Sequence, residues 1–473
     1  MLDYSKMTQI STPDQDTIAA IATPLGEGSI AVIRISGKNS LQIVARVFKR
    51  SNKASVFEMK SHKLYRGQVV DPESGRMLDS VLTVIMKSPH SYTGEDVAEI
   101  HCHGGYLLSK KILELLFQHG VRPATPGEFT FRAFINGKMD LAQAEAVVDV
   151  INAQTEESLK QAELQLEGML SQKIRELKEI ILDILAEVEA QVDFPEEGID
   201  PIVREAITKN TEEIIEQIDS LLATYEEGRI IKQGVYTAIL GKPNVGKSSL
   251  LNRLLMKERA IVSPLPGTTR DFIEETVDVK GIPLRLVDTA GLRAAADEVE
   301  KAGVDLARKK ASEAELIIAV VDGSSSLDED DFEVLKGSES RKAVLVINKS
   351  DLRQNVSNED ISEFFRRERV VNTSAKLGSG IEDLKSKIHE VLLGKKSLIE
   401  GTELVITELR HKLALQKTKE SLTSLIKAID NKESPEFLAV DLRLALDSLG
   451  EITGETTTED VLGRIFSKFC IGK

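Results

Sequence analysis

Apolar residues change their period several times along this chain. Residues 17–36, TIAAIATPLGEGSIAVIRIS, hold two β-prone runs separated by a turn rich in Pro and Gly, and 79–100 repeat the pattern in VLTVIMK and DVAEIH. The pattern predicts a mixed α+β domain over 1–130. After Pro126 the period changes: Leu141, Ala144, Val148, Ile151, Leu159, Ala162, Leu166, Leu170, Ile174, Leu177, Ile181, Leu185, Val188 and Val192 recur mostly three or four apart. Long amphipathic helices are expected there. DFPEEGIDP (193–201) interrupts the pattern, and 202–227 resume it. A third regime follows, in which VYTAIL (235–240), IPLRLVD (282–288), ELIIAVVD (315–322) and KAVLVIN (342–348) alternate with helix-like stretches. Such alternation predicts a parallel sheet wrapped by helices. Helical spacing returns over 403–430 and 435–449, as in Leu404, Leu409, Leu413, Leu422, Leu425 and Ile429.

EEGRIIKQG (226–234) and GKKSLIEGT (394–402) read as boundaries, which divides the chain into 1–130, a helical part 131–227, an α/β part 228–396 and a second helical part 397–473. A length of 473 residues allows two to four domains, and 41% hydrophobic with 29% charged residues is the balance of an ordered globular chain. Two cysteines, Cys102 and Cys470, cannot make a disulfide framework, and the start MLDYSKMTQISTPDQD lacks the apolar core of a signal peptide. The expectation is a cytoplasmic protein. The apolar run Leu316 to Val321 is far short of the ~20 residues that cross a bilayer, so no membrane association is expected. The net charge of −15 argues at first against a nucleic-acid partner. Residues 131–227, however, hold 8 basic and 23 acidic groups, a balance of −15 by themselves, so the remainder is near neutral. The acids fall largely between the apolar helix positions and read as a solvated face.

Gly241 to Ser248, GKPNVGKS, satisfies G-x-x-x-x-G-K-[ST] between a strand and a helix. Its glycines let Asn244, Val245 and Gly246 turn backbone amides toward phosphates. Lys247 neutralises the outer phosphates, Ser248 can ligate Mg²⁺, and Ser249 opens the helix. DTAG (Asp288, Thr289, Ala290, Gly291) ends the next strand, where Asp288 serves the Mg²⁺ shell and the Gly291 amide senses the γ-phosphate. GTTRD (267–271) lies between, and Thr269 is the candidate switch threonine. NKSD (Asn348, Lys349, Ser350, Asp351) places a carboxylate to accept from the guanine ring N–H and exocyclic amine. Adenine presents the wrong donors, which leaves that carboxylate unpaired. SAK (Ser374, Ala375, Lys376) completes the base pocket. Five motifs in this order define a GTPase domain.

Leu292 follows DTAG where Ras-like enzymes carry the glutamine that orients water. Asn244 with the loop Ser263 to Thr268 offers oxygens for a monovalent cation, K⁺, that would supply the missing positive charge. On spacing alone Asn244 serves equally as a loop-stabilising hydrogen-bonder. Asp297, Glu298 and Glu300 are candidate acids for the water, or helix-start acids favoured by the macrodipole.

Together with SYTGEDVAEIHCHGG (91–105), RPATPGEFTFRAFINGKMDLAQAEAVVDVI (122–151), PGTTRD, DTAGLR and LGRIFSKFCIGK, these blocks closely resemble the MnmE (TrmE) family of tRNA-modification GTPases across essentially the whole chain. The resemblance implies a multidomain α/β protein with an N-terminal α+β folate-binding and dimerising domain, a discontinuous helical domain, and a Ras-like P-loop GTPase domain inserted in it. It implies a homodimer working with the FAD-dependent flavoprotein MnmG (GidA) to install aminomethyl or carboxymethylaminomethyl groups at C5 of the tRNA wobble uridine. 5-Formyltetrahydrofolate or another tetrahydrofolate derivative would provide the one-carbon unit. Matched individually, Asn244, Ser263, Leu265 and Thr268 correspond to the family's K⁺ site, Ser248 and Thr269 to its Mg²⁺ ligands, and Glu300 to its catalytic acid. Arg34, Glu99, Lys138 and Lys473 match folate-contacting positions.

Arg34, a charge inside the apolar run SIAVIRIS, needs a ligand or an ion-pair partner. Glu99 is either such a partner or a ligand contact in its own right. His101 and His103 share a strand face, but no second ligand pair at zinc spacing accompanies them. Cys470 reads as a small buried hydrophobe or as a reactive thiol at the active centre, the role the resemblance favours. The alternative function, an RNA-binding GTPase switch in ribosome assembly, would carry a basic GXXG-containing KH module after the GTPase domain. The 77-residue tail is helical and slightly acidic instead.

Overall fold

The computed structural model describes residues 16–24, 26, 28–193, 201–257, 275–287, 314–338, 341–394 and 404–473. Two compact units emerge. One gathers the described residues to Val148 with Gly450–Lys473, and the other gathers the described residues between Asp149 and Leu449.

The first unit is built on a seven-stranded sheet. Its strands are β1 (Ile18–Ile21), β2 (Ile30–Ser36), β3 (Phe48–Arg50), β4 (Tyr65–Val70), β5 (Met77–Met86), β6 (Val97–His103) and β7 (Arg122–Pro123), in the order β3-β4-β5-β6-β2-β1-β7. All neighbours are antiparallel except β1 and β7. Alternation explains the layer: Ile33, Ile35, Ala98, Ile100, Val81 and Ile85 form one buried face under helices α1 (Ser40–Val47) and α2 (Tyr106–Gln118), whose Val44, Ile112 and Leu116 fill the same core. Arg34 and Glu99, one residue out of phase, lie on the opposite face, directly paired across β2 and β6. After α3 (Glu128–Ile135), Phe131 packs edge-on against Phe466, ring centroids 5.2 Å apart, and Phe469 stacks behind it. Residues 450–473 thus join this unit through an aromatic cluster.

The periodic stretch 141–192 is three helices: α4 (Leu141–Asn152), α5 (Glu156–Leu166) and α6 (Met169–Asp193). Thr155 and Ser158 cap the second reciprocally, and Gly168, at φ +88°, breaks between the second and third. Within the second unit α7 (Pro201–Ala223) packs along the helix Leu409–Asp430, and α8 (Tyr225–Gln233) leads into the second sheet. Residues 404–408, expected to be helical, are not. The Ile406 amide donates to the Thr224 hydroxyl, and Gly228 of α8 lies so close that any side chain there would meet the Ile406 carbonyl at 2.3 Å. Packing against α8 overrides a pattern that spacing alone makes helical.

The second sheet has six strands: β8 (Val235–Leu240), β9 (Glu275–Val279), β10 (Ile282–Val287), β11 (Leu316–Asp322), β12 (Lys342–Asn348) and β13 (Val370–Asn372), ordered β13-β12-β11-β8-β10-β9. It is parallel apart from β9, which makes a hairpin with β10. Its central strands are buried on both faces, as continuous apolar runs require: Ile318, Val320, Val344 and Val346 enter one core, while Ile317, Ala319, Val321 and Leu345 enter the other. The expected class, a multidomain α/β chain with an α+β N-terminal part, helical parts and a parallel sheet flanked by helices, is the one observed, and the N-terminal sheet is largely antiparallel.

Candidate functional site

Strand β8 ends at Leu240, and the helix α9 (Lys247–Lys257) begins seven residues later. Lys247 Nζ donates to the Gly241 and Lys242 carbonyls at 2.9 and 2.8 Å, drawing the loop around its own lysine. Gly246 has φ +101°, and a Cβ there would stand 2.2 Å from Asn348 Nδ2. Only glycine lets the base-recognition strand touch the phosphate loop at this point.

Asn348 ends β12, 2% exposed, and joins three elements. Its Nδ2 donates to the Val245 carbonyl at 2.8 Å, while Oδ1 accepts from the Ala375 amide at 3.0 Å and the Thr373 hydroxyl at 3.2 Å. Asp351 accepts from the Ser374 hydroxyl at 2.5 Å. That hydrogen bond holds its carboxyl below the usual aspartate range, with help from the charges of Lys376 and Lys349. The three motifs GKPNVGKS, NKSD and SAK therefore meet around one pocket.

Asn244, at φ +66°, and Ser248, exposed in the first turn of α9, make no hydrogen bond through their side chains among the described residues. Ser249 is exposed beside Ser248. Of the two readings for Asn244, the loop-stabilising hydrogen bond is therefore not made among the described residues. Ser263, Leu265, Thr268, Thr269, Asp288, Thr289, Ala290, Gly291 and Glu300 lie outside the described residues.

Three features of the pocket escaped the sequence reading. Lys242 of the loop pairs with Asp328 and Asp331, each at 2.7 Å. Lys349 pairs with Asp322 at 2.5 Å. Arg253 of α9 donates to the Ala375 and Lys376 carbonyls at 3.2 and 2.7 Å, bracing the SAK turn. The acidic run 328–331 signals charge but not which lysine it meets, because those partners are about 90 residues apart in sequence.

A second cluster lies on the other face of the first sheet. Arg34 Nε donates to Glu99 Oε1 at 2.9 Å, and its guanidinium lies 5.4 Å from the Tyr92 ring centre and 5.7 Å from that of Phe129. Burial pushes the Glu99 carboxyl up, but the His101 hydrogen bond and the Arg34 charge outweigh it and hold the group below its ordinary value. The ion-pair reading of Arg34 and Glu99 is realised in the structure. His103 pairs separately with Asp79 at 2.7 Å.

The chain's last residues reach the same place. Arg34 Nη1 lies 3.5 Å from the Gly472 carbonyl, Phe129 N–H donates to the Lys473 carbonyl at 3.2 Å, and a Cβ on Gly472 would meet the Ile21 carbonyl at 2.4 Å. Cys470 is exposed, contrary to its reading as a buried hydrophobe, whereas Cys102 is buried and its thiol is pushed up to about 11 by that burial. Lys138 donates to the Pro89 carbonyl at 3.1 Å, on the loop that carries Tyr92. Arg34, Glu99 and the 472–473 backbone are thus brought together. Among the described residues no hydrogen bond or ion pair joins Lys138 to Arg34.

Two family models match: "GTP-binding protein TrmE N-terminus" over residues 17–138 and "MnmE helical domain" over 141–470. The protein named tRNA modification GTPase MnmE of Clostridioides difficile is 47% identical over 458 residues, covering 97% of this chain and 99% of that protein. Its counterparts in Natranaerobius thermophilus and Carboxydothermus hydrogenoformans are each 46% identical, covering 97% of this chain and 100% of theirs. The chain belongs to the MnmE family. The TrmE N-terminal match spans the sheet that carries Arg34 and Glu99. The MnmE helical match spans everything from α4 to Cys470, the nucleotide pocket included. No helix among the described residues is long and apolar enough to cross a membrane.

Proposed function

We infer that this MnmE-family chain is a GTP-hydrolysing enzyme of tRNA modification. The observation that carries the reading is the Asn348 junction, which ties the phosphate loop to the guanine-reading turns within one pocket. Asp351 discriminates guanine, because a carboxylate that the bound base covers and leaves without donors costs binding energy. Lys247 leaves its two backbone carbonyls for the outer phosphates and neutralises charge there. Val245, Gly246, Ser248 and Ser249 turn amides and hydroxyls to the phosphate chain, and Lys349, Ser374, Ala375 and Lys376 close the base end. Asp288, Thr289, Ala290 and Gly291 serve the γ-phosphate side.

The finer reading has four parts. Ser248 and Thr269 would hold Mg²⁺, which offsets developing phosphate charge, and the unpartnered Ser248 hydroxyl suits that task. Asn244, Ser263, Leu265 and Thr268 would hold K⁺ in place of an arginine finger, with Glu300 orienting the water. Arg34, Glu99, Lys138 and Lys473 would hold a tetrahydrofolate. Arg34, flanked by two aromatic rings, suits a flat ligand carrying carboxylates. Cys470, exposed at the same end of the chain, is a candidate thiol for that centre.

The organisation that goes with this function is 1–130 for folate binding and dimerisation, 131–227 and 397–473 for the helical domain, and 228–396 for the GTPase domain. It would act in the cytoplasm as a homodimer with an FAD-dependent MnmG (GidA) partner on tRNA wobble uridines. Nucleoside mass spectrometry of tRNA from cells lacking the chain tests the whole reading: loss of the C5 aminomethyl substituent is expected, and unaltered wobble uridines defeat it. Glu300→Ala should keep GTP binding and lose turnover, whereas lost binding would assign Glu300 a structural role.

A further inference from the structure

Asp322, a largely buried carboxylate beside the base-recognition turn, has been given no role so far. Asp322 ends β11, and its side chain is 14% exposed. Its two oxygens are divided. Oδ1 accepts from the Ser324 amide at 2.9 Å and the Ser324 hydroxyl at 2.6 Å, and Oδ2 accepts from the Lys349 ammonium at 2.5 Å. Burial raises the Asp322 carboxyl, but the hydrogen bonds from Lys349 and Ser324 outweigh it and keep the group ionised.

Lys349 stands between Asn348 and Asp351, the two residues that build the base pocket. Its φ of +64° is unusual for a residue with a side chain, so the surroundings must hold it there. The Lys349 carbonyl accepts from Gln354 Nε2 at 3.0 Å and from the Leu352 amide at 2.9 Å. The Gly323 amide donates to the Asn348 carbonyl at 2.9 Å, and the Asn355 amide to the Gly323 carbonyl at 2.7 Å. The turn after β11 and the turn after β12 are therefore laced together, and the Asp322–Lys349 ion pair adds a charged link between them.

A free ammonium at this position would add an unneutralised cation beside the base-recognition turn. Paired with Asp322 it is neutralised in place, and what Lys349 then offers outward is a run of methylenes. We propose that Asp322 is a positioning residue of the guanine pocket: it holds the Lys349 ammonium against the protein, so that the lysine stem forms a wall for the base. The proposal rests on the GTPase reading and adds to it the residue that sets the geometry at the base end.

Asp322→Asn keeps the shape of the side chain and the acceptor for Ser324, and removes the charge that holds Lys349. Affinity for a fluorescent GDP analogue should weaken about tenfold in the otherwise unaltered chain, the effect of losing one charge-assisted hydrogen bond. In a Lys349→Ala background the same substitution should weaken binding by less than about twofold, because the residue through which it acts is gone. Equal losses in both backgrounds, or an unchanged affinity of Asp322→Asn, overturn the proposal. A wild-type chain that binds no guanine nucleotide would instead remove the GTPase reading itself. Acetic anhydride footprinting of the unmutated chain gives an independent readout. Lys349 should react at least about fivefold more slowly than Lys209, whose side chain is 75% exposed, with and without GDP. Equal reactivity of the two lysines in both states overturns the proposal whether or not the variants fold.

Discussion

Replacing Asn348 by Ala is the sharpest test of the nucleotide pocket. The substitution deletes a side chain that is 2% exposed and leaves the Ala375 amide and the Val245 carbonyl facing each other across a gap, with no water of the bulk in reach. Each unpaired buried backbone group costs about 1–3 kcal/mol, so the sum is roughly 2–6 kcal/mol. Part of that falls on the fold, because the Thr373 hydroxyl also loses its acceptor. If only about 2 kcal/mol falls on the bound state, GDP affinity drops roughly thirtyfold, at tenfold per 1.4 kcal/mol. Titration with a fluorescent GDP analogue measures the loss, and circular dichroism melting of the nucleotide-free chain separates the contribution of the fold. Asn348→Asp should be at least as damaging, because it keeps the acceptor for Ala375 but sets a second oxygen against the Val245 carbonyl. Affinity within about threefold of wild type for both variants, at an unchanged melting temperature, would refute the claim that Asn348 joins the phosphate loop to the base pocket.

Three further outcomes follow from the two sites. GTP hydrolysis should be at least about tenfold faster in KCl than in NaCl, with the difference abolished by Asn244→Ala; equal rates in the two salts for the wild-type chain would remove the cation site. Equilibrium dialysis with 5-formyltetrahydrofolate should lose its signal on Arg34→Ala, about a hundredfold in Kd for a lost charge-assisted contact, and an unchanged Kd would take Arg34 out of the site. Asp16, Glu99 and Glu128 all titrate below their ordinary values of 3.8 and 4.5 in the folded chain, because hydrogen bonds and charges from Arg122, Arg132, Arg34 and His101 outweigh the effect of burial. A depressed carboxylate stabilises the fold above its unfolded pKa, and that stability is lost as the pH falls through the folded value. Melting temperature should therefore hold between pH 7 and about 5 and fall below about 4, and a rise on acidification would contradict the ion-pair assignment.

Some of this was legible in residue order and some was not, and the division has a physical cause. The strands 316–322 and 342–348 stand where continuous apolar runs placed them, because a strand buried on both faces is apolar along its length, and 235–240 and 282–287 were readable despite Thr237 and Arg285. The phosphate loop and the guanine turns were equally readable, since each function depends on residues adjacent in sequence. Strand β9 was missed. It is a five-residue edge, ETVDV, whose alternation becomes visible only when it pairs with β10. Residues 404–408 were misread as helix because Leu404 and Leu409 keep helical spacing, while the hydrogen bond from Ile406 to Thr224 that fixes the extended path spans 182 residues.

The same limit governs the charges. The pairs Arg34 with Glu99, Lys349 with Asp322, and Lys242 with Asp328 and Asp331 are separated by 65, 27, 86 and 89 residues, and no periodicity connects them. What the chain's order does carry is the cost that makes each pair necessary. A charge set in an apolar strand or behind a phosphate loop must find a partner or a ligand. For Arg34 both demands are met from one side of the sheet: Glu99 takes Nε, and the remaining donors face Tyr92, Phe129 and the Gly472 carbonyl. An ion pair that satisfied every donor would have made Arg34 structural. This one leaves part of the guanidinium open beside two rings and the end of the chain, and therefore the ion-pair and ligand readings of Arg34 and Glu99 are compatible.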